Sequence, residues 1–134
     1  MALYHCQVNA ISRGKGQSVV AAAAYQSRAR LYNERDGEVK DYSRKAGQDC
    51  LFSGVYVPKD APAWAKDPER LWNGVERAED QHNRTRKKSA TLAYSLDIGL
   101  MAELTPEQNR YMLQDFIRDV YVRKGHGVQA SIHG

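Results

Sequence analysis

A tyrosine and an arginine near the amino terminus have side chains that could act together on a phosphate. Tyr25 and Arg28 lie in a segment that contains the run Ala21–Ala24 and no glycine or proline, which predicts a helix from Gln17 to about Tyr32. Residues at this spacing share one helix face. A phenol can attack phosphorus while a guanidinium neutralises the developing charge. The spacing fits equally well a half-buried tyrosine that only packs against the core.

A glycine-containing turn, Ser12 to Gly16, precedes this helix, and Ser18 is placed to cap it. Backbone N–H groups at the start of a helix bind anions, and Arg13 and Lys15 would lie beside them. Such turns are common in proteins. The turn therefore predicts a phosphate site only in combination with Tyr25 and Arg28.

Positive charge is concentrated in two stretches of a chain whose net charge is +4. Residues 1–30 contain four basic and no acidic residues. The second stretch, called the basic segment below, consists of Arg84, Arg86, Lys87 and Lys88. This distribution predicts that a polyanion is bound at a defined place, although a solvated surface would show the same pattern.

His133 and Asp97 each lie on the polar side of a predicted strand and are candidate ligands of a divalent metal. A histidine on a strand surface can also simply contact water, and a carboxylate facing solvent needs no special function. His5, His82 and His126 are interpreted as a strand-surface, a helix-end and a turn residue.

Alternating and helical patterns along the chain predict the order β-α-β-α-β-α-β. Strands are expected from Ala2 to Ile11, Cys50 to Val57, Thr91 to Leu100 and from Val128 onward. Asp36-Gly37 predicts a turn, and later helices are expected to begin near Pro68 and, after a capping box of Thr105 and Gln108, near Pro106. Several strands have one apolar and one polar side, which predicts an α+β fold whose sheet is covered by helices on one face. The predicted open polar face carries His5, Gln7, Asn9, Ser95, Asp97, Gln129, Ser131 and His133.

Length and composition restrict the class of protein. A chain of 134 residues is long enough for one domain, spanning residues 1–134. Its two cysteines are too few for a disulfide scaffold. The longest apolar run, Val19 to Tyr25, is far shorter than the roughly 20 residues that span a bilayer. No membrane span or signal peptide is expected, and a cytoplasmic location is predicted.

Several motifs resemble the MobA/MobL (MobQ-type) plasmid relaxases over nearly the whole chain. The similar stretches are Ala2–His5, Ile11–Ser18, Ala21–Tyr25, Asp41–Lys45, Ala61–Trp64, Leu71–Glu76 and Glu103–Thr105 followed by Gln108. The resemblance implies a HUH-superfamily endonuclease with a mainly antiparallel central sheet, a tyrosine nucleophile on the first helix and a histidine-bound Mg²⁺ or Mn²⁺ ion. Tyr25 matches the nucleophile, His133 matches the first of three metal-binding histidines, and Asp97 matches an acidic position of some relatives.

The sequence departs from the family pattern at two places. The second and third metal-binding histidines should follow His133 in an Asn-Pro-His-x-His-like segment, but the chain stops at Gly134. Tyr94-Ser95 stands where many relatives carry Arg-Glu, so one acidic group is absent. The relaxase domain is therefore expected to be truncated, and the chain alone to be weakly active or inactive.

The resemblance implies metal-dependent, site- and strand-specific nicking of DNA at an origin of transfer, through a 5′-phosphotyrosyl intermediate on Tyr25, which initiates conjugative transfer in a bacterium. Accessory relaxosome proteins and a type IV coupling protein are the implied partners. The alternative is an inactive fragment that holds single-stranded or hairpin DNA. On either hypothesis the DNA contacts are predicted to be Arg13, Lys15, Arg28, Arg84, Arg86, Lys87 and Lys88.

Overall fold

The structure is a computed structural model that describes residues 5–45, 49–82 and 91–134. Its strands and α-helices follow in the order β1 (His5–Ser12), α1 (Val19–Ser27), β2 (Arg30–Asn33), β3 (Glu38–Asp41), β4 (Cys50–Tyr56), α2 (Pro68–His82), β5 (Thr91–Gly99), α3 (Pro106–Val120) and β6 (Val128–His133). The strands pair as β1–β5, β2–β3 and β4–β6, and each pair is antiparallel. The predicted α+β class with antiparallel pairing is confirmed.

The register of β1 against β5 places polar residues opposite one another. Gln7 is paired with Asp97, and Asn9 with Ser95, so their side chains share one side of the ladder. The apolar positions share the other side, where Val8 is 57% exposed and Tyr94 is 66% exposed. The alternation thus predicted both strands and their polar sides, whereas their pairing and register come from the structure, and the helices leave these two apolar side chains uncovered.

Helix α1 is shorter than the sequence predicts. Ser18 caps its start, with Oγ accepting a hydrogen bond from the Ala21 N–H at 3.1 Å. The helix ends at Ser27 because Arg28 adopts a left-handed conformation with φ of 55°. The predicted end near Tyr32 was wrong, since this part of the chain forms β2.

The β2–β3 hairpin was not predicted as such, although its Asp36-Gly37 turn was. Gly37 has φ of 72°, which favours glycine at that position. Leu31 of β2 is 6% exposed and joins the core formed by buried α1 side chains such as Val20 and Ala24. Burial of Leu31 therefore attaches the hairpin to α1 and explains why the chain leaves the helix early.

A second core cluster lies between α3 and β6. Leu113 and Ile117 of α3 pack with Ala130 of β6. Helix α3 begins as predicted, because Thr105 and Gln108 form a reciprocal capping box in front of it. None of the helices in the described part of the chain is long and apolar enough to cross a membrane.

Candidate active site

Tyr25 lies in the last turn of α1 with half of its surface open to solvent. It is 50% exposed, and its ring packs against the ring of Tyr42 in an edge-on arrangement, with centroids 5.3 Å apart. The Cζ atom of Arg28 lies 4.6 Å from the centroid of the Tyr25 ring, which is a cation–π distance. The structure therefore brings together the tyrosine and arginine that the sequence singled out.

Arg28 is almost fully buried and is held by a carboxylate. Its Nε and NH2 groups donate to Oδ1 and Oδ2 of Asp49, both at 2.9 Å, and its NH1 group donates to the carbonyl oxygen of Tyr25. The hydrogen bonds to Asp49 raise the pKa of Arg28 above its ordinary value. Arg28 is thus a positioned cation beside the tyrosine ring, and its role in DNA binding stays a prediction. Nothing in the sequence near Asp49 identified it as the partner.

His133 lies at the end of β6 and contacts the same end of α1. Its Nε2 atom is 2.7 Å from the carbonyl oxygen of Gln26, the residue that follows Tyr25. Because a carbonyl oxygen only accepts, Nε2 carries the proton in this contact, and the lone pair of the neutral ring lies on Nδ1. The two residues matched to the family's nucleophile and histidine are therefore positioned around one peptide segment.

A set of three side chains, called the glutamine bridge below, connects α1, α2 and β6. Gln129 donates from Nε2 to the Ala23 carbonyl at 3.0 Å and to Oε1 of Gln26 at 2.7 Å. Its Oε1 atom accepts a hydrogen bond from Nε1 of Trp72 at 2.9 Å. The bridge comprises Gln26, Trp72 and Gln129. Gln129, predicted to lie on the open polar face, is instead 9% exposed, because its amide bonds to groups on both helices.

The glycine turn does not offer the free amides that the sequence predicted. The Gly16 N–H donates to the Arg13 carbonyl at 2.9 Å, and the Gln17 N–H donates to the Ser12 carbonyl at 3.3 Å. At Gly16 and Gln17 the prediction was therefore wrong, since the turn satisfies its own donors. Lys15 is exposed beside it.

Arg13 connects the turn to α2. Its NH1 group is 2.7 Å from Oδ1 of Asp80, and its NH2 group is 3.2 Å from Oε1 of Glu76. Burial lowers the pKa of Arg13, but the hydrogen bonds to Asp80 and Glu76 outweigh burial and raise it overall. The predicted contact of Arg13 with DNA stays a prediction, and its guanidinium already has two carboxylate partners.

Asp97 and His133, the two candidate metal ligands, lie in different strand pairs. Asp97 is exposed on β5 opposite Gln7. Within residues 5–45, 49–82 and 91–134, no three His, Cys, Asp or Glu side chains are grouped so that they could hold a metal ion. Arg84, Arg86, Lys87 and Lys88 lie outside the described residues.

Comparison with known proteins identifies the family. The model of the MobA/MobL family matches residues 17–134. The chain belongs to the MobA/MobL family.

Two individual proteins are similar to nearly the whole chain. The chain is 35% identical over 133 residues to mobilization protein MobL of Acidithiobacillus ferridurans, covering 99% of this chain and 32% of that protein. It is 36% identical over 135 residues to conjugal transfer protein TraA of Agrobacterium fabrum, covering 93% of this chain and 12% of that protein. The chain therefore spans a third or less of these relatives.

A solved structure, described as the molecular basis of vancomycin resistance transfer in Staphylococcus aureus, has a similar fold. It matches with a TM-score of 0.86 and 32% sequence identity, over 99% of this chain and 63% of that one. At this identity the MobA/MobL chain and the solved protein share both fold and ancestry.

Proposed function

We propose that this MobA/MobL chain acts in plasmid mobilisation by cutting DNA at an origin of transfer, with Tyr25 as the nucleophile. The observation that carries the proposal is the half-exposed side chain of Tyr25. The Arg28 guanidinium lies beside its ring, and His133 is hydrogen-bonded to the carbonyl oxygen of the next residue, Gln26. Family membership supplies the DNA substrate as an expectation.

In the proposed step the phenolic oxygen of Tyr25 attacks phosphorus, and the bond from phosphorus to the 3′ oxygen breaks. The segment on the 3′ side of the cut becomes linked to tyrosine through its 5′ phosphate, and the departing 3′ oxygen takes up a proton in place of the one lost by the phenol. The Arg28 guanidinium, 4.6 Å from the ring centroid, is placed beside the group that attacks. Because one phosphoester replaces another, the strand can be rejoined without ATP.

The expected Mg²⁺ or Mn²⁺ ion does not fit the described residues by themselves. His133 presents a free ring nitrogen, but Asp97 and His133 form no three-residue group with any other ligand in the described ranges. No step above depends on the ion. HUH-type chemistry, metal dependence, relaxosome and coupling-protein partners and a cytoplasmic location are further parts of the family-based proposal.

The decisive assay is formation of a covalent protein–DNA adduct. The chain is incubated with a single-stranded oligonucleotide covering the origin of transfer of its own mobile element, with and without Mn²⁺, and resolved on a denaturing gel. We expect an adduct that Tyr25→Phe abolishes. Tyr111→Phe is the matched control, since Tyr111 is 66% exposed on α3. An adduct that persists in Tyr25→Phe would remove Tyr25 from the role.

A second candidate function is DNA binding without chemistry, favoured by the lack of a three-ligand group in the described ranges. It predicts DNA binding that weakens steeply with salt, because basic side chains displace counterions from phosphates. It also predicts that no adduct forms in either metal condition. Both candidates bind DNA through basic side chains, so the adduct assay with the same oligonucleotide separates them, and the salt titration shows whether the chain binds DNA at all.

A further inference from the structure

Tyr42 has a position that the proposed chemistry does not use. Its ring meets the Tyr25 ring edge-on at 5.3 Å with an interplanar angle of 88°, and the residue is 37% exposed. Its backbone N–H donates to the Ala29 carbonyl at 2.9 Å. The residue is therefore attached to the segment that leaves α1, next to the proposed nucleophile.

The backbone around Tyr42 is held by a local turn. Oδ1 of Asp41 accepts from the Ser43 N–H at 2.9 Å and from the Ser43 hydroxyl at 2.5 Å. Such bonds fix the residues on both sides of Tyr42. A tyrosine side chain has few rotatable bonds, so little conformational entropy is lost when a ligand contacts this ring.

Two exposed guanidinium groups lie near Asp41, the residue that precedes Tyr42. The Arg30 side chain is 66% exposed and approaches Asp41 only at 3.9 Å. Arg44 is exposed two residues after Tyr42. After the hydrogen bonds from Ser43, both arginines help to lower the pKa of Asp41, which places their charges close to it.

The nearby Lys40 is different, because it is already paired. Its Nζ atom lies 2.8 Å from Asp36 and 3.0 Å from Glu38, and its side chain is 18% exposed. Arg30 and Arg44 are therefore two exposed cations beside Asp41, and guanidinium groups are suited to phosphates on either side of a base that contacts the Tyr42 ring.

We propose that Tyr42 is a stacking platform for an unpaired nucleobase next to the phosphate that Tyr25 attacks, with Arg30 and Arg44 contacting adjacent phosphates. The ligand class is single-stranded DNA, because bases within a duplex are already stacked on both faces. This inference rests on the proposed function for the identity of the ligand. Stacking on an aromatic side chain tolerates any base, so Tyr42 contributes affinity more than sequence recognition.

The test is equilibrium binding of a fluorescent oligothymidine of about 20 nucleotides, followed by anisotropy without divalent metal. Tyr42→Ala should weaken binding by about 5- to 150-fold, the range found for loss of one base–aromatic stack. Tyr42→Phe should restore native affinity, since it keeps the ring. Tyr111→Ala, at an exposed tyrosine on α3, should bind like the native chain.

A second probe separates stacking from a general effect on the surface. An oligonucleotide with the same backbone but abasic sites offers no base, so native chain and Tyr42→Ala should bind it equally. An equal loss on both probes, native-like binding by Tyr42→Ala, or no binding of oligothymidine by the native chain would each overturn the proposal. If Tyr42→Ala unfolds, Tyr42→Leu replaces it: weakened binding supports the platform, and native affinity refutes it.

The platform and the proposed function fail in different assays. The binding measurement requires no cleavage. If the native chain forms no adduct but Tyr42→Ala weakens oligothymidine binding, the platform is supported and the nuclease role is refuted. A chain that forms the Tyr25 adduct but binds oligothymidine independently of Tyr42 retains the nuclease role and loses the platform.

Discussion

Replacing Gln129 with leucine tests whether the glutamine bridge holds α1 against β6. The substitution removes three hydrogen bonds, to Ala23, Gln26 and Trp72, at distances of 3.0, 2.7 and 2.9 Å. Each contributes about 1 kcal/mol net, and a Trp72 N–H left without an acceptor in a partly buried place adds to the loss. The added apolar surface of leucine offsets part of this. We expect the free energy of unfolding to fall by about 2–4 kcal/mol.

Urea unfolding followed by circular dichroism measures this change, and a double-mutant cycle assigns it. Trp72→Phe alone should lower the free energy of unfolding by about 1 kcal/mol. In the Gln129→Leu background the same substitution should lower it clearly less, because the Trp72 N–H then has no partner to lose. Gln114→Leu is the matched control, since it loses one hydrogen bond, to the Tyr56 hydroxyl at 2.8 Å, and should cost about 1 kcal/mol. A loss below about 0.5 kcal/mol in Gln129→Leu, or strictly additive effects, would refute the bridge.

Three further predictions concern the elements around the site. Asn73→Ala should lower the free energy of unfolding by about 2–4 kcal/mol in urea, because Asn73 is 1% exposed and its amide bonds to three backbone groups, those of Glu34, Tyr32 and Glu69. The hydrogen bond from Lys40 is the main cause that lowers the pKa of Asp36 below its ordinary 3.8. The ionised Asp36 carboxylate therefore stabilises the fold above pH 3.8, and this contribution is lost as the pH falls further. In an acid titration the free energy of unfolding of Asp36→Asn should fall less than that of the native chain. Thr105→Ala removes the α3 cap and should cost about 1 kcal/mol by thermal unfolding, whereas an unchanged melting temperature would contradict the capping role.

Residue types and their spacing predicted the features that depend on residues close together in the chain. Alternation along β1 and β5 predicted both strands, the Asp36-Gly37 turn was visible in its residue types, and Thr105 with Gln108 predicted the start of α3. Family membership also followed from local motifs such as the one ending at Tyr25, and comparison with known proteins confirmed it.

Features that depend on contacts between distant residues could not be predicted from local patterns. Helix propensity favoured continuing α1 past Ser27, but burial of Leu31 against the helix core ended it. A polar residue in an alternating strand is predicted to face solvent, so the local sequence pattern did not indicate that Gln129 is buried.

The candidate site divides in the same way. The spacing predicted that Tyr25 and Arg28 share one helix face, but Arg28 follows the end of α1 and meets the Tyr25 ring from there. The pairing of Arg28 with Asp49 and the contact of His133 with Gln26 join residues that are remote in sequence. Such pairs depend on how the strands and helices pack, and packing is a property of the whole chain. The sequence therefore indicated the candidate groups, and the packing of the chain determines which of them meet and which are paired with carboxylates.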